Sequence, residues 1–430
     1  MLNKTLQRIL KLLASRVVKR YQPEIIGVTG SVGKTSTKEA IACVLGSKYQ
    51  IRQNKKNYNN EIGLPLTILG FDSPGSSIFK WLFLFIKTLG LIIKKDSKYP
   101  EIIILEMGID RPGDMDYLIS IARPQSGVVT TIGQSHLEFF GTQDKIAKEK
   151  GKLIERLSGQ GWAVLNYDDL RVRRMKKISK SKVLTYGFDQ DADISAVELV
   201  FSFENSREAG NLSGLSFKLK YQGSAMPVHL PAVIGYPAVY SALAAAAIGI
   251  AHGMNLVEIS QALYNLEPPR GRMNIINGLK KSLIVDDTYN ASPQSTLEAI
   301  RVTGMIALAE GARRWAILGD MFELGAYTED GHLAVGQAVA QNNFDYLIAV
   351  GERSLKTIDG ALKKKMKKDR IFHFSTALEV CEFIKQQLEP NDLLLIKGSQ
   401  GMRMEKIVKQ LVAEPDKVKE LLVRQDWADA

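Results

Sequence analysis

Cysteine is scarce in this chain: Cys43 and Cys381 are the only two in 430 residues. They lie far apart, outside any CxxC and away from histidine clusters. That excludes a disulfide framework and a structural zinc site, and points to a reducing cytoplasm. Histidine is scarce too, with five residues. No RNA-binding signature or zinc-finger spacing occurs, so no nucleic-acid partner is expected. The net charge of +11 then points to nucleotides or anionic lipid as the attracted anion. Long apolar runs are missing: the most apolar stretch, Ile78 to Ile93, is too short and too often interrupted by lysine to read as a membrane span. There is no internal repeat and no low-complexity tract. A composition 45% hydrophobic and 24% charged is that of an ordinary globular protein, long enough for two or three domains.

The first residues do not read as a secretory signal, which needs an unbroken apolar core and a small-residue cleavage site. Leu2, Leu6, Ile9, Leu13 and Val17 recur at helical spacing among six lysines and arginines. Residues 1–22 are therefore expected to form a basic amphipathic helix, packed by its apolar stripe on the adjoining domain. Ile78 to Ile93 reads either as a buried helix or as an interfacial hairpin. Two basic-apolar segments together make peripheral contact with an anionic membrane an expectation to test.

The richest chemistry lies in residues 23–40, PEIIGVTGSVGKTSTKEA. A short apolar strand feeds a glycine-turned loop and then a helix, the arrangement that holds a nucleotide triphosphate. The commonest form, GxxxxGK[ST], is altered here to TGxxGKT. Backbone N–H groups around Gly30, Ser31, Gly33 and Ser36 can wrap phosphates, Lys34 can meet their charge, and the Thr35 hydroxyl can ligate Mg²⁺. Thr35, Ser36 and Thr37 read as helix-capping residues. ATP and Mg²⁺ are the expected cofactors.

Further strands follow: Glu101 to Leu105, Gly127 to Gly133 and Trp162 to Asn166, apolar enough for a parallel sheet covered on both faces. Residues 183–230 alternate apolar and polar in short pieces and read as antiparallel hairpins. Glu267 to Gly271 is the best linker. Beyond it, strands alternate with helices, which implies a doubly wound α/β domain. The expected fold is α/β: a P-loop ATPase domain with a parallel sheet and a small antiparallel portion, then a Rossmann-like domain. The expected boundaries are 1–22, 23–268 with an apolar insertion at 72–100, and 269–430. Several strands end in polar residues, Glu106, His136, Asn166 and Asp286, where open parallel sheets place their ligands. A glutamate beside a P-loop can hold Mg²⁺ or orient its water. His136 is either a ligand or a structural histidine, and Asp286 either a site residue or a strand-end turn.

Nine segments carry a specific resemblance: TGSVGKTSTKE, NNEIGLPLTIL, LEMG, GQSHLEFFG, AKEKGKL, PPRGRM, DDTYNASPQS, LGDMFELG and KGSQGMRME. Their order resembles that in Mur ligases over essentially residues 24 to 410. The pair DDTYNASPQS and LGDMFELG is most similar to the member that adds D-alanyl-D-alanine to a UDP-muramoyl peptide. The resemblance implies an ATP-dependent ligase of peptidoglycan precursors that activates a carboxylate as an acyl phosphate. UDP-N-acetylmuramoyl tripeptide and the dipeptide D-Ala-D-Ala would be its substrates, and the enzyme would act as a cytoplasmic monomer. It implies that Lys34 and Thr35 hold the β and γ phosphates and one Mg²⁺, with Glu106 near that metal and His136 on a second. Lys150 matches the lysine that the family carbamylates. Read by itself, it would be part of a solvated helix face. Arg272 matches an arginine that reaches the γ-phosphate on domain closure. Asp287, Tyr289 and Asn290 match residues near the nucleotide. Lys397 falls near the acyl phosphate or dipeptide, and the loop with Asn59 and Asn60 near the substrate.

Three departures stand beside this. The family member carries an N-terminal domain for the UDP end, whereas here only 24 residues precede the first expected strand, which begins at Ile25. The adenine-side motif GxHNxxN reads Gly235-Tyr236-Pro237-Ala238-Val239-Tyr240-Ser241, without its His and Asn. The insertion at 72–100 is unusual. The alternatives are a related ligase acting on a carboxylate not linked to UDP, or a partner-binding homologue without turnover.

Overall fold

A computed structural model describes residues 2–54, 58–75, 77–133, 137–203, 212–231 and 233–423. Two sheets organise it. The first contains β1 (Glu24–Thr29), β2 (Ile51–Gln53), β3 (Ile102–Glu106), β4 (Ser126–Val129), β5 (Trp162–Asn166), β6 (Lys182–Gly187), β7 (Ile194–Phe203), β8 (Leu212–Tyr221) and β9 (Ser224–Pro231). Their order is β2-β3-β1-β4-β5-β6-β7-β8-β9. Every pairing from β2 to β7 is parallel, and β7-β8-β9 is antiparallel.

Alternation of side chains across the parallel strands divides the core in two. Ile26, Val28, Ile102 and Ile104 face the P-loop helix Lys34–Gly46 and the Ala-rich helix Tyr236–Ala251. Ile25, Ile103 and Leu105 face the opposite layer, which includes the N-terminal helix Leu2–Tyr21 and the helix Gln143–Glu155. A strand covered on both faces needs apolar residues at every position, so β3 reads as an unbroken Ile-Ile-Ile-Leu run. The antiparallel hairpins expected within residues 183–230 are β7, β8 and β9. Tyr186 and Gly187 of β6 pair in parallel with Ile194 and Ser195, so β7 to β9 extend the same sheet. Phe217, Leu219 and Val228 bury into the same core as the Ala-rich helix.

The second sheet holds β10 (Asn274–Asn277), β11 (Leu283–Asp287), β12 (Arg314–Gly319), β13 (Tyr346–Val350), β14 (Ile371–Phe374) and β15 (Leu393–Lys397). The order is β10-β11-β15-β12-β13-β14, all parallel except β10. Helices cover both faces and leave two apolar cores.

The N-terminal helix buries Leu10, Leu13, Ala14 and Val17, the packed arrangement its spacing favours. Ile78–Ile93 is neither a buried helix nor a hairpin. It forms one continuous helix that buries Leu84 and Thr88 and turns a broad apolar face to solvent.

Candidate functional site

The P-loop begins where β1 ends. Gly30 has φ 148° and Gly33 φ 86°, and a Cβ at Gly30 would overlap the Thr130 hydroxyl. Glycine is required there because the loop is pressed against β4's continuation. The helix Lys34–Gly46 is capped by Gly33, with no side-chain cap. This corrects the expectation that Thr35, Ser36 and Thr37 cap it: they lie inside the helix, where the Thr37 N–H closes the first turn onto the Gly33 carbonyl at 2.9 Å and the N–H groups before it point out of the helix end toward an anion. Ser31 Oγ is buried without a hydrogen-bond partner among the described residues. An orphaned donor beside free N–H groups fits a phosphate oxygen. Lys34 Nζ donates to the Gly30 carbonyl oxygen at 3.0 Å. Burial pulls its pKa below the usual lysine range; nearby Arg272 adds to this, while Glu106 opposes it.

Glu106, at the end of β3, is almost fully buried. Its Oε2 accepts from Thr35 Oγ1 at 2.8 Å and its Oε1 from Asn59 Nδ2 at 3.0 Å. A hydroxyl and a carboxylate side by side at the P-loop are the hard oxygen donors Mg²⁺ prefers, so these residues fit the ion. Among the described residues no cluster of three His, Cys, Asp or Glu is placed to hold a metal. His136 lies outside the described residues. Asn60 turns away from this group: its Oδ1 accepts from the backbone N–H of Gly63 at 3.0 Å and braces the following helix.

Lys150 does not lie on a solvated helix face. It is 1% exposed and its Nζ donates to the Gly30 carbonyl oxygen at 2.9 Å, beneath the P-loop. Among the described residues no carboxylate pairs with it. Burial first, then the like charge of Lys34, push its pKa well below the usual range. Both causes favour the uncharged form of the amine over the charged one.

The second sheet supplies the facing wall. Arg272 lies over the Tyr289 ring at 4.2 Å and its Nη2 reaches Thr35 Oγ1 at 3.5 Å. Lys397, closing β15, donates to Asp287 Oδ2 at 2.5 Å and to the Asn290 carbonyl oxygen at 2.9 Å. Asp286 is fully buried and accepts from Thr288 through both its N–H and its hydroxyl. Burial raises its pKa to about 7 despite those bonds. A cavity of about 840 Å³ runs between the sheets, lined by Lys34, Thr35, Glu106, Arg272, Asp287 and Lys397. Ser31, Gly33, Ser36, Asn59, Tyr289 and Asn290 also line it, whereas Gly30, Asn60 and Lys150 lie behind its wall.

Known proteins resemble this chain over most of its length. The Mur ligase middle domain matches residues 28–79 and 86–249, and the Mur ligase glutamate ligase domain matches residues 271–400. The UDP-N-acetylmuramoyl-tripeptide--D-alanyl-D-alanine ligase of Bacillus subtilis (strain 168) is 30% identical over 407 residues, covering 94% of this chain and 79% of that protein. The chain belongs to the Mur ligase family. A crystal structure of MurF from Acinetobacter baumannii superposes with a TM-score of 0.76 at 25% identity, over 94% of this chain and 79% of the other. The MurF ligase of Thermotoga maritima, solved in complex with ADP, shares the fold with a TM-score of 0.77 at 24% identity, over 96% and 84%.

This Mur ligase departs from the family motif on one side of the cavity. Where His and the two Asn are expected stand Pro237, Ala238 and Ser241, and the neighbouring Tyr236 and Tyr240 line the wall beside them. Tyr240 OH donates to Asp168 Oδ2 at 2.7 Å, and burial with that bond keeps the phenol protonated. Arg301 lies over the Tyr236 ring at 4.2 Å, and Phe188 packs against both tyrosines. Sequence reasoning missed Asp168, Phe188 and Arg301. The signal available was the failed motif itself, with tyrosines flanking the lost polar residues.

Proposed function

We propose that this chain is an ATP-dependent, ADP-forming peptide ligase of peptidoglycan precursor synthesis, joining D-Ala-D-Ala to UDP-N-acetylmuramoyl tripeptide. One observation carries the reading. Lys34, Thr35 and Glu106 of the first sheet and Arg272 and Lys397 of the second face one cavity, with Arg272 already in reach of Thr35.

The chemistry follows from the residues. The N–H groups after Gly33, with Ser31 and Lys34, hold the phosphates of ATP. Thr35 and Glu106 would hold Mg²⁺, which supplies charge neutralisation for the phosphates. The terminal carboxylate of the tripeptide attacks the γ-phosphorus, giving an acyl phosphate and ADP. Arg272 holds the γ-phosphoryl oxygens, so catalysis is positioning and charge stabilisation. The dipeptide amine then attacks the acyl carbon, phosphate leaves, and the amine proton passes to solvent or phosphate. Asp287, Tyr289 and Asn290 flank the nucleotide, Lys397 orients the acyl phosphate or dipeptide, and Asn59 holds Glu106 in place. Tyr236 and Tyr240 offer the adenine a stacking wall in place of the family's His and Asn.

Lys150 takes part as a carbamate. An uncharged Lys150 nitrogen would add to CO₂ with release of a proton, and the resulting carbamate would supply two hard oxygens beside Lys34. The domains on this reading are 23–268 and 269–430, with residues 1–22 as a packed helix. The reaction belongs in the cytoplasm, and the apolar helix Ile78–Ile93 gives reason to expect contact with the inner face of the membrane.

Phosphate release tests the reading. It should need ATP, UDP-muramoyl tripeptide and D-Ala-D-Ala together, and mass spectrometry should find the pentapeptide product. Release with a carboxylate acceptor lacking UDP, but not with the nucleotide sugar, would reassign the substrate. Release with no acceptor would refute ligation.

A further inference from the structure

The helix Ile78–Ile93 exposes an apolar face that nothing in the fold uses. Phe79 is 85% and Ile93 77% exposed, and Ile78, Leu82, Phe83 and Ile86 are each more than half exposed. At 3.6 residues per turn these side chains share one outward arc, opposite the buried Leu84 and Thr88. Lys80, Lys87 and Lys94, seven residues apart, line one edge of that arc, and Lys87 Nζ lies 5.6 Å from the Phe83 ring centroid. Lys95 and Lys98 follow, against the single acid Asp96. The helix cannot fold its face inward. Tyr21 OH donates to the Leu91 carbonyl at 3.1 Å and Arg20 Nη2 to that of Ile93 at 3.0 Å, fixing its far end to the N-terminal helix. Trp81 and Phe85 are set into the core on the other side.

We propose that this face docks on an anionic lipid bilayer, with Phe79, Phe83 and Ile86 entering the headgroup boundary and the lysine edge meeting lipid phosphates. Charge complementarity selects this occupant. A second copy seated on the same face would bring two lysine edges together. A lipid surface instead offers negative charge at the rim and an apolar interior at the centre. At 16 residues the helix is about 24 Å long, short of a bilayer's hydrocarbon core, so it lies on the membrane and does not cross it. No helix among the described residues is long and apolar enough to span. Docking of this kind is separate from ligation, and either can fail without the other.

Flotation of the full chain tests it, with vesicles of phosphatidylcholine alone or with one-third phosphatidylglycerol. The parent should float with the anionic vesicles only, and sink as salt rises from about 0.1 M to 1 M. A Phe79→Ser, Phe83→Ser, Ile86→Ser variant should lose binding on the order of tenfold. Its melting temperature should change little, because these side chains are mostly exposed. A Lys80→Glu, Lys87→Glu, Lys94→Glu variant, which leaves the apolar face intact, should also stay unbound. The proposal is overturned if the parent does not float or floats equally with neutral vesicles. It is equally overturned if both variants float as the parent does, or if the parent is a dimer that the serine variant dissociates.

Discussion

Lys150 and Lys397 are both all but removed from water, one beneath the P-loop of the first sheet and the other at the end of β15 in the second. They are held in opposite ways. Lys397 is ion-paired to Asp287 at 2.5 Å. Among the described residues Lys150 makes its hydrogen bond to a backbone carbonyl, with the like charge of Lys34 close by and Asp110, Glu106 and Glu149 opposing it more weakly. Burial alone says little about what a lysine does; its partners decide it. A paired lysine keeps its charge, whereas burial without a carboxylate partner favours the uncharged amine. On the proposed function the first sheet would hold the reactive lysine and the second the positioning one.

The contrast breaks first at Lys34, whose charge lowers the Lys150 pKa and, on the proposed function, meets the phosphates. Lys34→Ala should lower kcat by roughly 10³-fold or more with the fold intact by circular dichroism. Ligation at the parental rate would move the nucleotide site elsewhere. The two buried lysines should then separate under one substitution. Lys150→Met, an apolar chain of similar length, should cost about 10²-fold in turnover yet less than about 1.5 kcal/mol in stability. Lys150→Ala should be partly rescued by a short carboxylic acid supplying the missing oxygens. Lys397→Met leaves Asp287 without its partner and should cost about 3 kcal/mol in urea unfolding. Equal stability losses at the two positions would erase the distinction.

Arg272 bridges the two sheets, and a charge-assisted contact is worth about 1.5–3 kcal/mol. Arg272→Ala should therefore lower kcat by about 10–100-fold while changing the KM for ATP much less. A defect confined to KM would make it an ordinary binding residue. The smallest effect concerns Asp286. Its pKa is raised from 3.8 to about 7, so the folded state keeps a proton that the unfolded chain has lost. Stability should fall as pH rises from about 4 to 7, at no more than about 1.4 kcal/mol per unit. Asp286→Asn should flatten that slope in pH-dependent melting curves. An unchanged slope would place the titration elsewhere.

Much of this was legible in the sequence because it is local. A strand, two glycines and a lysine announce a P-loop, and an apolar run ending in Glu106 announces a buried strand whose end opens on the cavity. Lys150 was different. Its helix reads as charged, and only the resemblance marked it, because the contact with Gly30 spans 120 residues. The bond from Tyr240 to Asp168 was illegible for the same reason: it joins the Ala-rich helix to the turn after β5, and no short-range pattern encodes that pairing. The absence of a side-chain cap on the P-loop helix was misread since Thr and Ser favour caps, yet here Gly33 takes the position. Ile78–Ile93 misled in both its readings. Composition shows that a helix is apolar but not whether anything covers it.

The central claim is that ATP activates the acceptor carboxylate at the junction of the two sheets. The most direct measurement uses UDP-muramoyl tripeptide whose terminal carboxylate carries heavy oxygen, with unlabelled ATP and D-Ala-D-Ala. Passage through an acyl phosphate transfers one labelled oxygen to the released phosphate, leaving the other in the new amide. Labelled phosphate in step with pentapeptide formation is the predicted result. Unlabelled phosphate accompanying the same product would contradict the account.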